Sequence, residues 1–392
     1  MSINYQQIRQ QVRELGASAP ERYRQLQNLR QRAGELLATY ADDHAPLREK
    51  VLRVARSYDP SLRCALPVSE ALDAHFPAPA LPGEITVLAA DGSQINPDRH
   101  AEVEFSLINV GAIRVRSGSA APPIVTIESQ LFDADGSANL TENSLALQRD
   151  LRERDILSRL AAQALPPVVS FTDGPMELWG SQDVGAQAVS EYQEVLQEYI
   201  GVLEQLRAQN VATAGYVDKP AASLVVRLLE VAEAGKADLP EIRQYHPLRG
   251  VRDFDLYAGL LGVGERSAIF ALQSQSARQY TSDLALHFFY LNVGRPGKPW
   301  LARVEVPAWV VKQPVLLDNL HAVLVDQCRL TGERPYPYLL HRAHEIALVG
   351  LQEREQVAQM IALELRRQGV PFLGLSHKQA LKNATGRTRF QP

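Results

Sequence analysis

Residues 85–93 read ITVLAADGS, and residues 167–174 read PVVSFTDG. Each stretch is an apolar run followed by Asp-Gly, which is the pattern of a buried β-strand that ends in a turn. A third apolar run, VATAGYV (211–217), leads directly into Asp218 and Lys219. Longer helical patterns separate the three runs, so the sequence predicts a mixed sheet with helices on its faces.

The other segments extend this α/β order. Alternating or apolar patterns predict further strands at 101–116, 124–133, 285–293, 300–310 and 370–374. Helical periodicity predicts helices at 3–16, 20–40, 46–57, 141–164, 184–208, 223–234, 314–331, 338–350 and 353–368. Ser18 and Pro20 are expected to separate the first two helices, because proline disfavours a helix interior.

Three regions are expected along the chain: a helical arm (1–75), a main α/β domain (83–375) and a basic tail (376–392). The Pro-rich stretch 77–82, PAPALP, is typical of a linker. Leu26, Leu29, Leu36 and Leu37 form one apolar stripe on the arm. The stripe predicts that the arm packs either on the main domain or on a partner.

Composition excludes several classes of protein. The chain is 45% hydrophobic and 22% charged, which is ordinary for a globular protein. No run of 18 apolar residues occurs, and the polar start MSINYQQIRQQVREL lacks a signal-peptide core, so we expect a cytoplasmic protein without a membrane span. Two distant cysteines exclude a disulfide scaffold and a cysteine-based zinc site.

The charge is distributed unevenly. The net charge is −4, so the chain is not a strongly basic nucleic-acid-binding protein. Residues 376–392, however, contain four cations and no acid: Lys378, Lys382, Arg387 and Arg389. Residues 1–63 are also basic, so local patches could contact phosphates.

Two carboxylates follow the apolar runs, Asp91 in AADGS and Asp173 in FTDGP. Carboxylates on neighbouring strands can share hard divalent cations, which prefer oxygen ligands. The alternative is that Asp-Gly only forms turns. A third ligand would come from the predicted helix 141–164, where Glu142, Glu153 and Asp155 compete, unless these acids only form a solvated helix face.

The segment RPYPYLLHRAHEIAL (334–348) contains Tyr336, His341 and His344. A histidine near a metal can act as a ligand, a phosphate donor or an acid/base, and the alternative is a histidine and a tyrosine that only pack. The segment does not read HExxH and therefore does not indicate a zinc protease. The sequence also lacks a P-loop, a GxGxxG dinucleotide motif and a GxSxG elbow.

These pieces, in this order, resemble the NurA family of DNA nucleases. The resemblance runs from about residue 85 to 375. The matching pieces are AADGS (89–93), the helix around Glu153, FTDGP (171–175), GYVDK (215–219), GERSAIF (264–270), RVEVPAW (303–309) and YPYLLHRAH (336–344).

The resemblance implies an RNase H-like core close to the PIWI type, a homodimer, and cleavage of DNA with Mn²⁺ or Mg²⁺. It implies 5′→3′ exonuclease and single-strand endonuclease activity beside HerA, a hexameric ATPase, in DNA end processing. By position, Asp91, Glu153 and Asp173 would be the metal carboxylates. Lys219 would contact phosphate, Tyr336 and His344 would complete the site, and Arg266 is a weaker candidate for a phosphate contact.

Two other functions stay open at this point. One is a non-catalytic dimeric DNA clamp or scaffold that regulates the ATPase, and the other is a phosphohydrolase for small molecules. The intact carboxylate set favours the nuclease, because a scaffold has no need of it.

Overall fold

A single mixed sheet lies at the centre of the computed structural model, which describes residues 3–98, 104–133, 141–179 and 186–369. Its strands are β1 (Cys64–Pro67), β2 (His75–Phe76), β3 (Ile85–Ile95), β4 (Phe105–Ser117), β5 (Ile124–Asp133), β6 (Val168–Asp173), β7 (Ala212–Asp218), β8 (Arg266–Ser267), β9 (Phe270–Gln273), β10 (Leu286–Asn292) and β11 (Leu301–Pro307). The predicted strands of the main domain are confirmed, apart from 370–374 and the first residues of 101–116, which lie outside the described residues. The predicted strand 300–310 ends at Pro307, because a short helix begins at Ala308.

The helices lie around this sheet. They are α1 (Tyr5–Thr39), α2 (His44–Ser57), α3 (Glu142–Ala161), α4 (Ala186–Ala208), α5 (Leu224–Glu233), α6 (Asp253–Tyr257), α7 (Ala308–Val311), α8 (Pro314–Arg329), α9 (Tyr338–Ala347) and α10 (Leu351–Arg367). In the described part of the chain, no helix is both long and apolar enough to cross a membrane.

The order of the strands is β1-β9-β10-β11-β7-β6-β3-β4-β5. β3, β4 and β5 form an antiparallel meander, and then β6 and β7 add in parallel beside β3 after one helix each. This meander with two parallel additions is the RNase H-like core that was predicted. β11 pairs antiparallel with β7 and continues the sheet towards β1.

The central strands are largely apolar because helices cover both of their faces. Because Gly92 on β3 has no side chain, Arg149 and Glu153 of α3 pack directly against it. Gly111 on β4 lies against the backbone of α9. The cross-strand partner of Gly111 is Asp91, and residues that pair directly share a face of a sheet. Asp91 therefore points towards α9, and its neighbour Gly92 points towards α3.

The predicted break at Ser18 and Pro20 is wrong, because α1 is one helix of 35 residues with Pro20 inside it. The Ser18 hydroxyl and the Arg22 guanidinium both donate to the Leu15 carbonyl, at 3.2 and 2.8 Å. This stretch is exposed, so the carbonyl that Pro20 leaves without an amide donor can bond water instead. The proline is therefore tolerated.

The apolar stripe of α1 packs on the protein's own core. Leu37 is buried, and Leu26, Leu29 and Leu36 are partly buried against the same core. The predicted arm is not wholly helical, because its later residues form β1, which pairs with β9. The short strands β1, β2, β8 and β9 were not predicted, since two to four residues give no readable alternation.

Candidate active site

Asp173 is the last residue of β6, as predicted, and the chain turns at Gly174 with a φ of +85°. The Gly174 amide donates to the Tyr216 carbonyl on β7 at 2.8 Å, which fixes the turn. The Tyr336 hydroxyl hydrogen-bonds the Asp173 carboxylate. Protein atoms nevertheless displace water around this exposed carboxylate, and together with the charge of Asp91 they raise its pKa.

Asp91 does not lie at a strand end, which corrects the prediction of a turn after AAD. β3 continues through Asp91 and Gly92 to Ile95, and Asp91 pairs with Gly111 across the meander. The parallel pairing with β6, however, stops at Ala90. Asp91 therefore lies where the sheet opens on that side, close to the end of β6.

Gly92 is needed for close approach and not for a turn. A Cβ atom built on it would lie 2.6 Å from Cγ of Arg149 and 2.8 Å from Oε1 of Glu153. The absence of this side chain brings the Glu153 carboxylate onto the strand beside Asp91. Asp-Gly at this position is therefore a packing feature.

Glu153 is the acid of α3 that faces the sheet, and it is 5% exposed. The Arg149 Nε atom lies 3.4 Å from its Oε1 atom. Burial raises the pKa of Glu153 well above its usual range, and the charges of Asp150 and Asp91 add to this effect. The competing acids lie elsewhere: Glu142 is exposed in the first turn, and Asp155 pairs with Arg159 at 2.9 Å.

Sequence reasoning missed Asp150. It precedes Glu153 by three residues, so the two acids share one face of α3. Burial raises the pKa of Asp150 even though Arg149 pairs with it at 2.9 Å, and Asp91 adds to the rise. The i, i+3 spacing in RDLRERDIL was the available signal for this residue.

His344 reaches Asp91 from α9. Its Nδ1 atom lies 2.7 Å from Oδ2 of Asp91, while the imidazole is 58% exposed. The close approach depends on Gly111, where a Cβ atom would lie 2.7 Å from the Ala347 amide nitrogen. Asn109 Nδ2 also donates to the Ala347 carbonyl at 2.8 Å and holds the end of α9 on β4.

Tyr336 and Lys219 lie near the end of β7. The Tyr336 ring packs edge-on against Tyr216 of β7, with the ring centroids 5.7 Å apart. Burial and the charge of Asp173 raise the pKa of Tyr336, so its hydroxyl stays protonated as a donor. Lys219 follows β7 with a φ of +44°, and its Nζ atom lies 3.8 Å from the centre of the Trp300 ring.

The phosphate contact predicted for Arg266 is wrong. Arg266 is 6% exposed, and its two Nη atoms bond the two carboxylate oxygens of Glu70 at 3.0 and 2.9 Å. Its guanidinium also lies over the Phe76 ring at 3.9 Å. Arg266 therefore joins β8 to the segment before β3, and its guanidinium is already engaged by protein groups. The four cations of the tail, Lys378, Lys382, Arg387 and Arg389, lie outside the described residues.

The carboxylate cluster suits a hard divalent cation by donor type and by charge. Beyond the effect of burial, the charges of Asp150 and Asp91 raise the pKa of Glu153, while the guanidinium groups of Arg149 and Arg154 lower it. Their arrangement is not a closed ligand shell, because among residues 3–98, 104–133, 141–179 and 186–369 no three His, Cys, Asp or Glu side chains converge on one point. Asp91 and Glu153 approach from opposite faces of the sheet, which explains why their carboxylates do not converge on one point.

The NurA domain family model matches residues 85–349, more than half of the 392-residue chain. The chain belongs to the NurA family. It is therefore a DNA nuclease by family, and hence a hydrolase. The match begins at the first residue of β3 and ends just after α9, so it includes Asp91, Glu153, Asp173, Tyr336 and His344.

Three solved structures show distant similarity to this chain. The NurA nuclease from Sulfolobus solfataricus is similar over 91% of this chain and 98% of that chain, with 10% identity and a TM-score of 0.49. Endonuclease V from Ciona intestinalis, in complex with DNA, is similar over 70% and 87%, with 14% identity and a TM-score of 0.30. A type 1 RNase H is similar over 38% and 67%, with 18% identity and a TM-score of 0.23. No curated protein sequence matches the chain.

Proposed function

We propose that this NurA protein is a divalent-metal-dependent DNA nuclease that holds Mn²⁺ or Mg²⁺ on Asp91, Glu153 and Asp173. The observation that carries the proposal is the crowding of carboxylates where β3, β6 and α3 meet. Burial raises the pKa values of Glu153 and Asp173, the charge of Asp91 adds to both rises, and a bound divalent cation would favour the charged carboxylates. Asp150 is a further oxygen donor beside Glu153.

Two bound cations would supply an activated water and stabilise the leaving 3′ oxygen in an in-line displacement. The chain's own residues orient the groups around that step. The Tyr336 hydroxyl can donate to the Asp173 carboxylate and so help to orient it. Lys219 is exposed beyond β7, where its ammonium can attract the scissile phosphate.

His344 has a role that its geometry supports. Its Nδ1 atom is engaged by Asp91, while much of the ring faces solvent. A histidine oriented by a carboxylate in this way can donate a proton to a leaving oxygen from its other nitrogen. We assign His344 this role and assign Asp91 the task of orienting it.

The finer activity follows the family resemblance. We propose 5′→3′ exonuclease and single-strand endonuclease action in DNA end resection and recombinational repair, by a homodimer working with a HerA-like hexameric ATPase. The chain has no P-loop, and separating DNA strands costs about 1.4 kcal/mol per stacked step, which hydrolysis of the backbone does not supply. The cations of residues 376–392 would add phosphate contacts.

The test is digestion of a single-stranded oligonucleotide and a linear plasmid with Mn²⁺, with Mg²⁺ and with EDTA. Asp91→Asn, Asp173→Asn and Glu153→Gln should each reduce cleavage by about 100-fold or more, since even residues that only support metal ligands cost 10–100-fold. Glu142→Gln is the matched control on the same helix and should cleave normally. Circular dichroism melting checks that each variant is folded.

Several outcomes would contradict the proposal. Near-normal cleavage by Asp91→Asn or Asp173→Asn would show that the proposed metal site is wrong. An inactive Glu142→Gln beside an active Glu153→Gln would move the third ligand to the start of α3. DNA binding without any cleavage, unchanged by metal, would instead favour the non-catalytic clamp.

A further inference from the structure

An exposed tryptophan, Trp179, lies on the segment that leaves the end of β6. It is 54% exposed, although indole rings are usually well covered in a folded protein. The Arg63 guanidinium lies 4.4 Å from the centre of its ring. A cation therefore backs the ring while much of its surface faces solvent.

The segment 174–178 is held rigidly. The Met176 amide donates to the buried Glu305 carboxylate of β11 at 2.9 Å, and the Leu178 amide donates to the Tyr280 hydroxyl at 2.9 Å. The carbonyl groups of Met176 and Leu178 accept from two tyrosines of α4, Tyr199 and Tyr192. Six residues span at most about 20 Å, so Trp179 stands at a fixed place within that distance of Asp173.

Arg63 is held in the same way. Its guanidinium pairs with Glu177, which is 1% exposed and also accepts from the hydroxyls of Ser274 and Ser276. The indole and the guanidinium are thus two planar groups with little freedom to move. Little conformational entropy would be lost when a third planar group stacks on them.

Arg63 also connects Trp179 to a cavity of about 900 Å³. Arg243, Arg249 and His246 line this cavity together with Arg63, and the acids Asp59 and Glu230 line it too. Arg243 pairs with Asp59, but within the described chain the Arg249 side chain has no hydrogen-bond or ion-pair partner. A strand that passes Trp179 would therefore meet an uncompensated positive charge next.

We propose that Trp179, backed by Arg63, stacks on an unpaired nucleobase of the substrate strand, so that the protein binds single-stranded DNA in preference to duplex. This inference rests on the proposed nuclease function. The face of a base is accessible only when the strand is unpaired, whereas phosphate contacts are available in both forms. The cavity beyond Arg63 would receive the sugar-phosphate backbone of the same strand.

The test measures binding in EDTA, where no cleavage occurs. A fluorescent oligothymidylate is titrated with the full-length protein, and relaxed closed-circular duplex, which has no ends, serves as competitor. Trp179→Ala should bind the oligonucleotide about tenfold more weakly, while Trp179→Phe should stay within about threefold, because base–aromatic stacking contributes about 1–3 kcal/mol and tolerates any aromatic ring. Affinity for the closed circle should stay unchanged.

Two further variants sharpen the test. Tyr23→Ala removes an aromatic ring that is 61% exposed on α1 and should bind like the unaltered protein. Arg63→Lys keeps a cation for Glu177 but removes the planar group behind the indole, so we expect an intermediate loss. Oligothymidylate should also quench the tryptophan fluorescence, and Trp179→Phe should remove most of that quenching, since Trp309 is buried and Trp300 lies under Lys219.

Unchanged oligonucleotide binding by Trp179→Ala would overturn the inference, as would an equal loss for oligonucleotide and closed circle. Quenching that is as strong in Trp179→Phe as in the unaltered protein would also overturn it. These outcomes are separate from the nuclease proposal. A protein that binds through Trp179 but never cleaves would refute the nuclease alone, and one that cleaves but binds independently of Trp179 would refute the stacking alone.

Discussion

Replacing Gly111 by alanine should displace α9 and, with it, His344. The new Cβ atom would lie 2.7 Å from the Ala347 amide nitrogen and 2.9 Å from the Ala343 carbonyl oxygen, whereas ordinary contacts begin at 3.4 Å. Both neighbours are helix backbone, which cannot rotate away as a side chain can. Overpacking of this kind costs about 1–3 kcal/mol of folding free energy.

The same displacement has a consequence for the site. If α9 retreats as a rigid body by about 0.7 Å, the 2.7 Å bond from His344 to Asp91 lengthens to about 3.4 Å, outside hydrogen-bond range. Misplacement of a reacting group on this scale costs about 10–100-fold in rate. Gly111→Ala should therefore lose both stability and cleavage activity.

Urea unfolding followed by circular dichroism measures the first effect, and oligonucleotide cleavage with Mn²⁺ measures the second. Gly34→Ala in α1 is the matched control, because no atom lies within 4 Å of its Cβ position. Alanine is preferred to glycine in a helix by about 1 kcal/mol, so this variant should be slightly more stable. A Gly111→Ala protein as stable and active as Gly34→Ala would refute the packing argument.

Two further predictions concern groups away from the site. Asp253 is fully buried and accepts hydrogen bonds from the amides of Leu224, Val225 and Val226 and from the Tyr290 hydroxyl, so Asp253→Ala should lower the unfolding free energy by about 3–5 kcal/mol in urea. Its control, Asp155→Ala, removes an exposed ion pair and should cost less than about 1 kcal/mol; equal losses would contradict the role of Asp253. Burial raises the pKa values of Cys64 and Cys328 to about 12, so neither thiol should react with Ellman's reagent at pH 8 until the chain is unfolded, and fast reaction of the native protein would contradict their burial.

The sequence by itself determined the strands and helices of the core and pointed to two of its carboxylates, Asp91 and Asp173. Strands β3, β6 and β7 are visible as apolar runs because both faces of these strands are covered, so every position favours an apolar residue. Asp173 and its positive-φ glycine were readable for a local reason, since Asp-Gly at a strand end is turn chemistry. The amphipathic stripe of α1 is a local pattern too, and it indicated a buried face.

Only the tertiary structure decided how these pieces meet. Asp91 and His344 are 253 positions apart, and their contact depends on the missing side chain of Gly111, which no local pattern reveals. No local pattern shows the role of Gly92 either, because a glycine is required there by the packing of α3 and not by a turn.

For Arg266 the local pattern was misleading: its motif suggested a phosphate contact, but in the structure the guanidinium pairs with Glu70. A residue's type and spacing indicate which chemistry it can perform. Which partners lie within reach depends on how helices and strands pack, and that packing is set by steric contacts between residues far apart in the chain.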